Sequence, residues 1–347
     1  MAARPQSILT AARAEALVAR FGRVRVAVVG DLVADEFIYG QLDRVSREAP
    51  VLILKYDSTE ILPGGAGNAA MNAAALGARV RVFGLVGRDV PGSRLRDALK
   101  ARADLTGVSQ VAGYVTPVKT RILAGGVHSA KQQVVRIDRS GSPVTPGLRR
   151  KVETALARAL ATVDVVIISD YGRGLVTPAG WARAIQSSGV KRPPLVLADS
   201  RYGLDGFVGM TACTPNEAEV EALLGVKIAD RLDVLEKAGR TLLDRLRCRA
   251  VLVTRGSRGM ALFEPGRPTD HIAIVGSDEV ADVTGAGDTV IATFALSLGA
   301  GATFGEAARL ANHAGGLVVM KRGTATASAG ELRASLSREA NARRGRS

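Results

Sequence analysis

Cysteine is scarce in this chain: the two thiols, Cys213 and Cys248, are too few for a disulfide framework and lack the CxxC spacing of a metal site. They are expected to be buried and reduced. Aromatic residues make up only 4%, so no interleaved stacking platform for nucleic-acid bases exists. No stretch approaches the roughly 18 uninterrupted apolar residues that would span a bilayer, and no apolar signal segment opens the chain. A cytoplasmic protein is the expectation. The three histidines show no HExxH spacing, and the absence of GxxxxGK[ST] excludes a P-loop nucleotidase. What is abundant is aliphatic: 47% hydrophobic residues with 39 glycines suit an Ala/Val/Leu-rich α/β core. The formal charge of +14 raises nucleic acid as a partner, but the basic residues are spread along the chain, with one modest run at Arg333, Arg338, Arg343, Arg344 and Arg346. A solvated surface that attracts phosphorylated small molecules, with neither a nucleic acid nor a membrane as partner, is the reading.

The opening residues are Ala- and Arg-rich, as in a transit peptide, yet Glu15 and the spacing of Ile8, Leu9, Ala12, Leu17 and Val18 equally suit a surface helix. A helical extension over 1–22 is expected. The apolar run 24–29 ending in Gly30-Asp31 reads as a buried parallel strand, which puts a carboxylate at its C-terminal end. Alternating β-rich stretches within about 34–60 and 114–138 read as a small lid. Between them, glycines 64–67 open an alanine-rich helix over 68–76, and 79–87 returns as a core strand. Beyond residue 146 the alternation is regular. Helices are expected over 147–161, 178–188, 217–224, 230–246, 287–299 and 304–320, with strands over 163–169, 194–198 and 250–254 and hairpin-like segments up to about 280. Such alternation implies a doubly wound, mostly parallel sheet flanked by helices, with ligands at the strands' C-terminal ends. One α/β domain over 23–332, followed by a frayed basic tail over 333–347, completes the expected organisation.

The segment 282–289, DVTGAGDT, runs straight into an apolar helix. Gly285, Ala286 and Gly287 would present successive N–H groups at a helix N-terminus, an anion-binding arrangement, and Asp288 would stand where phosphate charge collects. A carboxylate in a first helical turn is also an ordinary dipole and capping residue.

DVTGAGDT resembles the signature of the PfkB-type carbohydrate kinases, the ribokinase-like family, and further motifs follow in the family's order over residues 22–332. The resemblance implies a ribokinase-like fold with a β-rich lid, ATP as donor, magnesium as metal and Asp288 as catalytic base. Residues 62–70, LPGGAGNAA, resemble the second signature, so Gly64, Gly65 and Asn68 would line the sugar site, and Asp31 would bind sugar hydroxyls. Asn216, Glu217, Ala218 and Glu219 resemble the N-x-x-E element that organises magnesium and phosphates, with Glu219 reaching the metal through water. Thr254, Gly256 and Gly259 match a TxGxxG-like nucleotide loop, and Asn312 falls where the family frames adenine. By the same resemblance, Asp282 and Thr284 are candidates for a monovalent cation such as potassium, and a homodimer is the expected assembly.

Segments 46–51, 169–174, 282–291 and 321–328 resemble the D-glycero-β-D-manno-heptose-7-phosphate kinases of lipopolysaccharide-core biosynthesis. That resemblance implies phosphorylation of an anomeric hydroxyl on a sugar that already carries a phosphate, for which Lys119, Arg121 and Arg136 are candidate ligands. Arg47 and Arg173 depart from the subfamily pattern, which has Pro and Lys there. Ribose and fructose phosphates are the alternative acceptors. Two other readings are weaker: Gly65-Ala66-Gly67-Asn68-Ala69-Ala70 fits a dinucleotide fingerprint but follows a polar stretch instead of a core strand, and a non-catalytic binding module on a kinase fold leaves Asp288 without a role.

Overall fold

The computed structural model describes residues 9–46, 51–125, 131–275, 282–321 and 323–344. Helix α1 (Ala11–Val18) leads into β1 (Arg25–Gly30), after which the chain leaves the main sheet for the long strands β2 (Leu32–Val45) and β3 (Leu52–Gly65). Helix α2 (Ala66–Ala75), β4 (Arg79–Gly87), α3 (Val90–Lys100) and β5 (Asp104–Val111) follow, then β6 (Val118–Gly125) and β7 (Gln132–Arg139). The second half alternates: α4 (Pro146–Ala159), β8 (Val165–Asp170), α5 (Pro178–Ser188), β9 (Leu195–Ser200), β10 (Ala212–Cys213), α6 (Glu217–Leu224), α7 (Leu232–Leu246) and β11 (Ala250–Thr254). The antiparallel β12 (Met260–Phe263) and β13 (Asp270–Ile272) close the sheet edge, and α8 (Ala286–Gly299), α9 (Phe304–Val319) and α10 (Ala329–Arg344) end the chain.

Local chemistry accounts for the helix starts. Thr145 and Thr177 cap α4 and α5 with Pro at the first helical positions, Asp89 caps α3, and Thr303 with Glu306 forms a capping box for α9. The main sheet has nine strands in the order β13-β12-β11-β10-β9-β8-β1-β4-β5. Strands β5 through β11 in that row run parallel. Side chains alternate between its two faces: Val26 and Val28 of β1 join one core with α1, α2, α8, α9 and α10, whereas Ala27 and Val29 join the other with α4, α5 and α7. Strand order reverses at β1, between β4 and β8, so the crevice for a ligand opens at the carboxyl ends of β1 and β8.

A separate four-stranded sheet, β3-β2-β6-β7, forms the lid. Strand β2 starts two residues beyond β1 and β3 ends at α2, so the lid is tied to the crevice at its base. This is the expected fold class.

Helix α3 and strand β5 add to the expected elements, and two expectations change. Residues 333–344 are not frayed: they continue α10. Ser328 and Glu331 cap that helix reciprocally, at 2.9 and 3.2 Å, Leu332 is fully buried, and Arg333 pairs with Glu15 of α1. Helix α1 in turn buries Ala14, Leu17 and Val18 against the core and is part of the domain, more than a surface extension. Both cysteines are buried and unlinked. Among the described residues no helix is long and apolar enough to cross a membrane.

Candidate active site

Asp288 stands in the first turn of α8, whose remaining residues are almost entirely apolar and buried. Gly285, just before the helix, adopts φ +77°, and a Cβ there would lie 2.3 Å from the Asn68 amide nitrogen, so glycine is required twice over, by conformation and by close approach. The N–H groups of Ala286, Gly287 and Asp288 have no partner within the helix, and they carry its positive dipole end. Asp288 itself is 3% exposed, and its carboxylate is held from two sides. Asn68 Nδ2 donates to Oδ2 at 2.9 Å, and the Tyr171 hydroxyl donates to Oδ1 at 3.1 Å.

A relay of buried polar groups fixes Asn68. Thr289 Oγ1 donates to Asn72 Oδ1 at 2.9 Å, and Asn72 Nδ2 donates to Asn68 Oδ1 at 3.1 Å. Asn68 and Asn72 are four residues apart on one face of α2, which is why the relay can form. Burial raises Asp288 to about 7, with Asp35 adding to the rise, while the two hydrogen bonds and Lys119 oppose it. A carboxylate with that midpoint is placed to accept a proton near neutrality.

Asp31 follows β1 and is wrapped by the loop after β8: the Tyr171 and Arg173 amides donate to its Oδ2 at 2.9 and 3.2 Å. Burial and the neighbouring Asp170 raise it to about 6. Asp170 is itself fixed by Gly172 N at 2.9 Å and Ser200 Oγ at 2.7 Å. Asp199, near the end of β9, has an oxygen 3.9 Å from the point a Gly287 Cβ would occupy. It is pushed well above the usual carboxylate range by burial, then by Glu219 and Asp288. Glu219 is raised too, chiefly by burial.

The N-x-x-E element is a capping box. Asn216 Oδ1 accepts from Glu219 N, and Glu219 Oε2 accepts from Asn216 N, both at 2.9 Å. The other Glu219 oxygen makes no hydrogen bond among the described residues, and the charge of Glu219 is felt at Asp199. Ala218 is inside the same turn. Glu217 corrects its expected nucleotide contact: both its oxygens are engaged by Arg255 and Arg258, bracing α6 against the loop after β11. Thr254 N binds Pro215 O at 3.0 Å, which brings the two nucleotide motifs side by side. Gly259, at φ +78°, packs on Ile272, and Asn312 Nδ2 donates to Ala273 O at 2.7 Å, so Gly259 and Asn312 meet one short segment, 272–274, whereas Gly256, at φ +56°, has open space where a Cβ would stand. Asn312 also walls a recess of about 650 Å³ with Ile272, Ala273 and Ile274.

The lid candidates separate. Lys119 reaches the site, with Nζ 4.6 Å from the centre of the Tyr171 ring, and makes no ion pair among the described residues. Arg121 does not fit the phosphate-binding expectation: it is buried against Asp35 at 2.7 Å, and Gly64 is glycine because a Cβ would strike that same Asp35 carboxylate. Arg136 pairs with Asp138 at 2.7 Å on the outer strand. Gly65 opens toward the Tyr171 ring. Asp282 accepts from Thr284 N at 2.9 Å and Gly323 N at 3.1 Å, acting first as a clamp on the loop before α8. Of the segments likened to the heptose-phosphate kinases, residues 47–50 and 322 lie outside the described residues. Asp35, Asn72, Asp170, Tyr171 and Asp199 had no role assigned from sequence. The signal that picked out Asp31, a carboxylate ending an apolar strand, applies equally to Asp170 and Asp199.

Acidic strand ends gather beside a helix N-terminus under the lid sheet, with one buried carboxylate raised to about 7, an arrangement suited to a phosphotransferase acting on a hydroxyl. Comparison with known proteins gives the particular kind. The profile described as pfkB family carbohydrate kinase matches residues 24–329, and the chain belongs to that family. It is 39% identical over 324 residues to the "Bifunctional protein HldE" of Geobacter sulfurreducens, covering 93% of this chain and 65% of that relative. To the protein of the same name from Geotalea uraniireducens it is 40% identical over 323 residues, covering 92% and 64%. The chain thus spans just under two thirds of the length of these relatives. In fold it is similar to phosphofructokinase-2 from Escherichia coli, solved with potassium (TM-score 0.72, 18% identity, 91% of this chain and 99% of that one). It is likewise similar to ribokinase from Arabidopsis thaliana, solved with ribose and ATP (TM-score 0.66, 21% identity, 91% and 97%).

Proposed function

We propose that this carbohydrate kinase transfers the γ-phosphoryl group of ATP to the anomeric hydroxyl of D-glycero-β-D-manno-heptose 7-phosphate, giving the 1,7-bisphosphate. The observation that carries the chemistry is Asp288, a buried carboxylate with a midpoint of about 7 at the mouth of a helix N-terminus. The heptose is supported by the identity to the HldE proteins and by segments 169–174 and 282–291.

In this reading the acceptor hydroxyl lies against Asp288, which takes its proton as the new O–P bond forms and the bond to the leaving ADP oxygen breaks. The N–H groups of residues 286–288 stabilise the charge on the transferring group. Asp31 holds a neighbouring sugar hydroxyl, and Lys119 is the lid cation available for the acceptor's own phosphate. Asp199 and Glu219 fit a magnesium ion: both are oxygen donors whose charged forms are disfavoured by burial, and Asp199 also by the charge of Glu219, until a cation is near. When bound, magnesium would neutralise charge on the phosphates. Exposed apolar residues on the lid, among them Leu42, Leu52, Tyr56, Val135 and Ile137, support a homodimer as the assembly.

The test is ADP release with magnesium-ATP across heptose 7-phosphate, fructose phosphates, ribose and adenosine, with the phosphorylated product identified by 31P NMR. Turnover on the heptose phosphate with a new anomeric phosphate is expected. Turnover on another sugar would replace the substrate, and silence on all of them would contradict the activity.

A further inference from the structure

Among the described residues, Tyr171 and Asn68 are the side chains that hydrogen-bond the candidate base, and the sequence motif that contains Tyr171, Ser169-Asp170-Tyr171-Gly172, gives it no task. Its position is over-determined. The backbone N–H donates to Asp31 at 2.9 Å, and Asp31 in turn sits at the end of β1. One ring edge lies in ordinary contact range, 3.4 Å, of a Cβ placed on Gly65, a residue kept glycine by its φ of +57° and by the Asp31 carbonyl oxygen 2.5 Å from that Cβ, and Lys119 covers the ring from the lid side. A phenol so anchored cannot swing away without loosening the loop around Asp31.

Burial, followed by the negative charges of Asp288 and Asp199, keeps that phenol protonated, so it donates to Asp288 and does not accept. Asn68 donates to the other oxygen from the opposite side, across the crevice between α2 and the loop after β8. Two donors at opposite oxygens fix the plane of a carboxylate, and each oxygen keeps a lone pair for the acceptor. Charged groups around Asp288 come from three further elements: Asp35 on β2, Lys119 on β6 and Asp199 on β9.

We propose that Tyr171 is a positioning residue for phosphoryl transfer: its hydroxyl, opposite Asn68, fixes the Asp288 carboxylate in the plane and charge state that receive the acceptor's proton. The inference rests on the reading of Asp288 as the base. A donor lost from a charged acceptor disfavours the ionised form, so Tyr171→Phe moves the acid limb of kcat/KM upward by about one pH unit. At pH 7 turnover falls about fivefold and recovers most of that loss by pH 9, while KM for ATP stays within about twofold. Phenylalanine keeps the ring under Lys119, so the fold is retained; matching melting curves check it.

A readout independent of turnover is the 13C carboxyl titration of labelled aspartates, in which the resonance missing from Asp288→Asn identifies the group. Its midpoint is expected to rise in Tyr171→Phe. Wild type active with both the acid limb and the carboxyl midpoint unmoved by Tyr171→Phe overturns the role of Tyr171 alone, as does a rate loss equal at every pH. Wild type inactive on every sugar overturns the base assignment and the catalytic role together, even where the carboxyl midpoint moves.

Discussion

Carboxylates at the crevice and carboxylates on the outer layers of this protein behave in opposite ways. At the crevice, Asp31, Asp199, Glu219 and Asp288 are all pushed up by burial, and among the described residues no guanidinium is bonded to any of them. On the periphery, Asp164 against Arg25, Glu306 against Arg13, and Glu331 against Lys321 are pulled down by a bonded cation. The same two residue types thus serve two ends. These three peripheral acids are each bonded to a cation of the fold, whereas the four at the crevice feel Arg201, Arg173 or Lys119 only at a distance, a deficit that magnesium and a proton from substrate would fill.

The largest expected effect is on stability. The folded protein holds the Asp288 proton up to about pH 7 while the unfolded chain releases it near 3.8, so stability falls as pH rises through that window. Asp288→Asn should therefore stabilise the protein at pH 8, with a ceiling of about 4 kcal/mol, and have little effect at pH 4. Urea denaturation at the two pH values checks this; an equal or destabilising effect at pH 8 would break the comparison.

Next is Gly285→Ala, which forces a Cβ into Asn68 at a left-handed position. Sugar-dependent ADP release should drop by about 100-fold because the base and its anion site shift together. Glu219→Gln should raise the magnesium concentration needed for half-maximal rate by about 10-fold to 100-fold, measured by metal titration at saturating sugar. Loss of the capping box alone would lower the melting temperature without that shift. Smallest is Glu331→Gln, at the partly exposed pair with Lys321. At pH 7 it should cost no more than about 1 kcal/mol and leave kcat unchanged, and the cost should shrink as the pH falls from 4.5 toward 2, where Glu331 takes up its proton.

The same contrast explains what the sequence made legible. Regular alternation of apolar strands and helices shows the doubly wound sheet, while Asn68 and Asp288 are picked out by the resemblance of LPGGAGNAA and DVTGAGDT to family signatures. Helix α3 was hidden because Val90, Pro91, Gly92 and Ser93 open it, and its apolar face is only Leu95 and Leu99. Helix α10 is hard to read from sequence because polar residues make its contacts with the domain: the buried Ser335 and the half-exposed Glu339 both meet His313. Pairing defeats sequence reading most: Arg121 and Asp35 are 86 positions apart, and only the lid's β2–β6 register brings them together. The reach of Tyr171 to Asp288, 117 positions along, is equally invisible in a linear motif.

The central claim is that Asp288 takes the acceptor's proton in sugar phosphorylation, and the most direct measurement is the rate of ADP release with magnesium-ATP and heptose 7-phosphate for wild type and Asp288→Asn. A fall of at least about 100-fold, with the variant folded and ATP still bound, is the predicted result. Turnover by Asp288→Asn within a few-fold of wild type would contradict it.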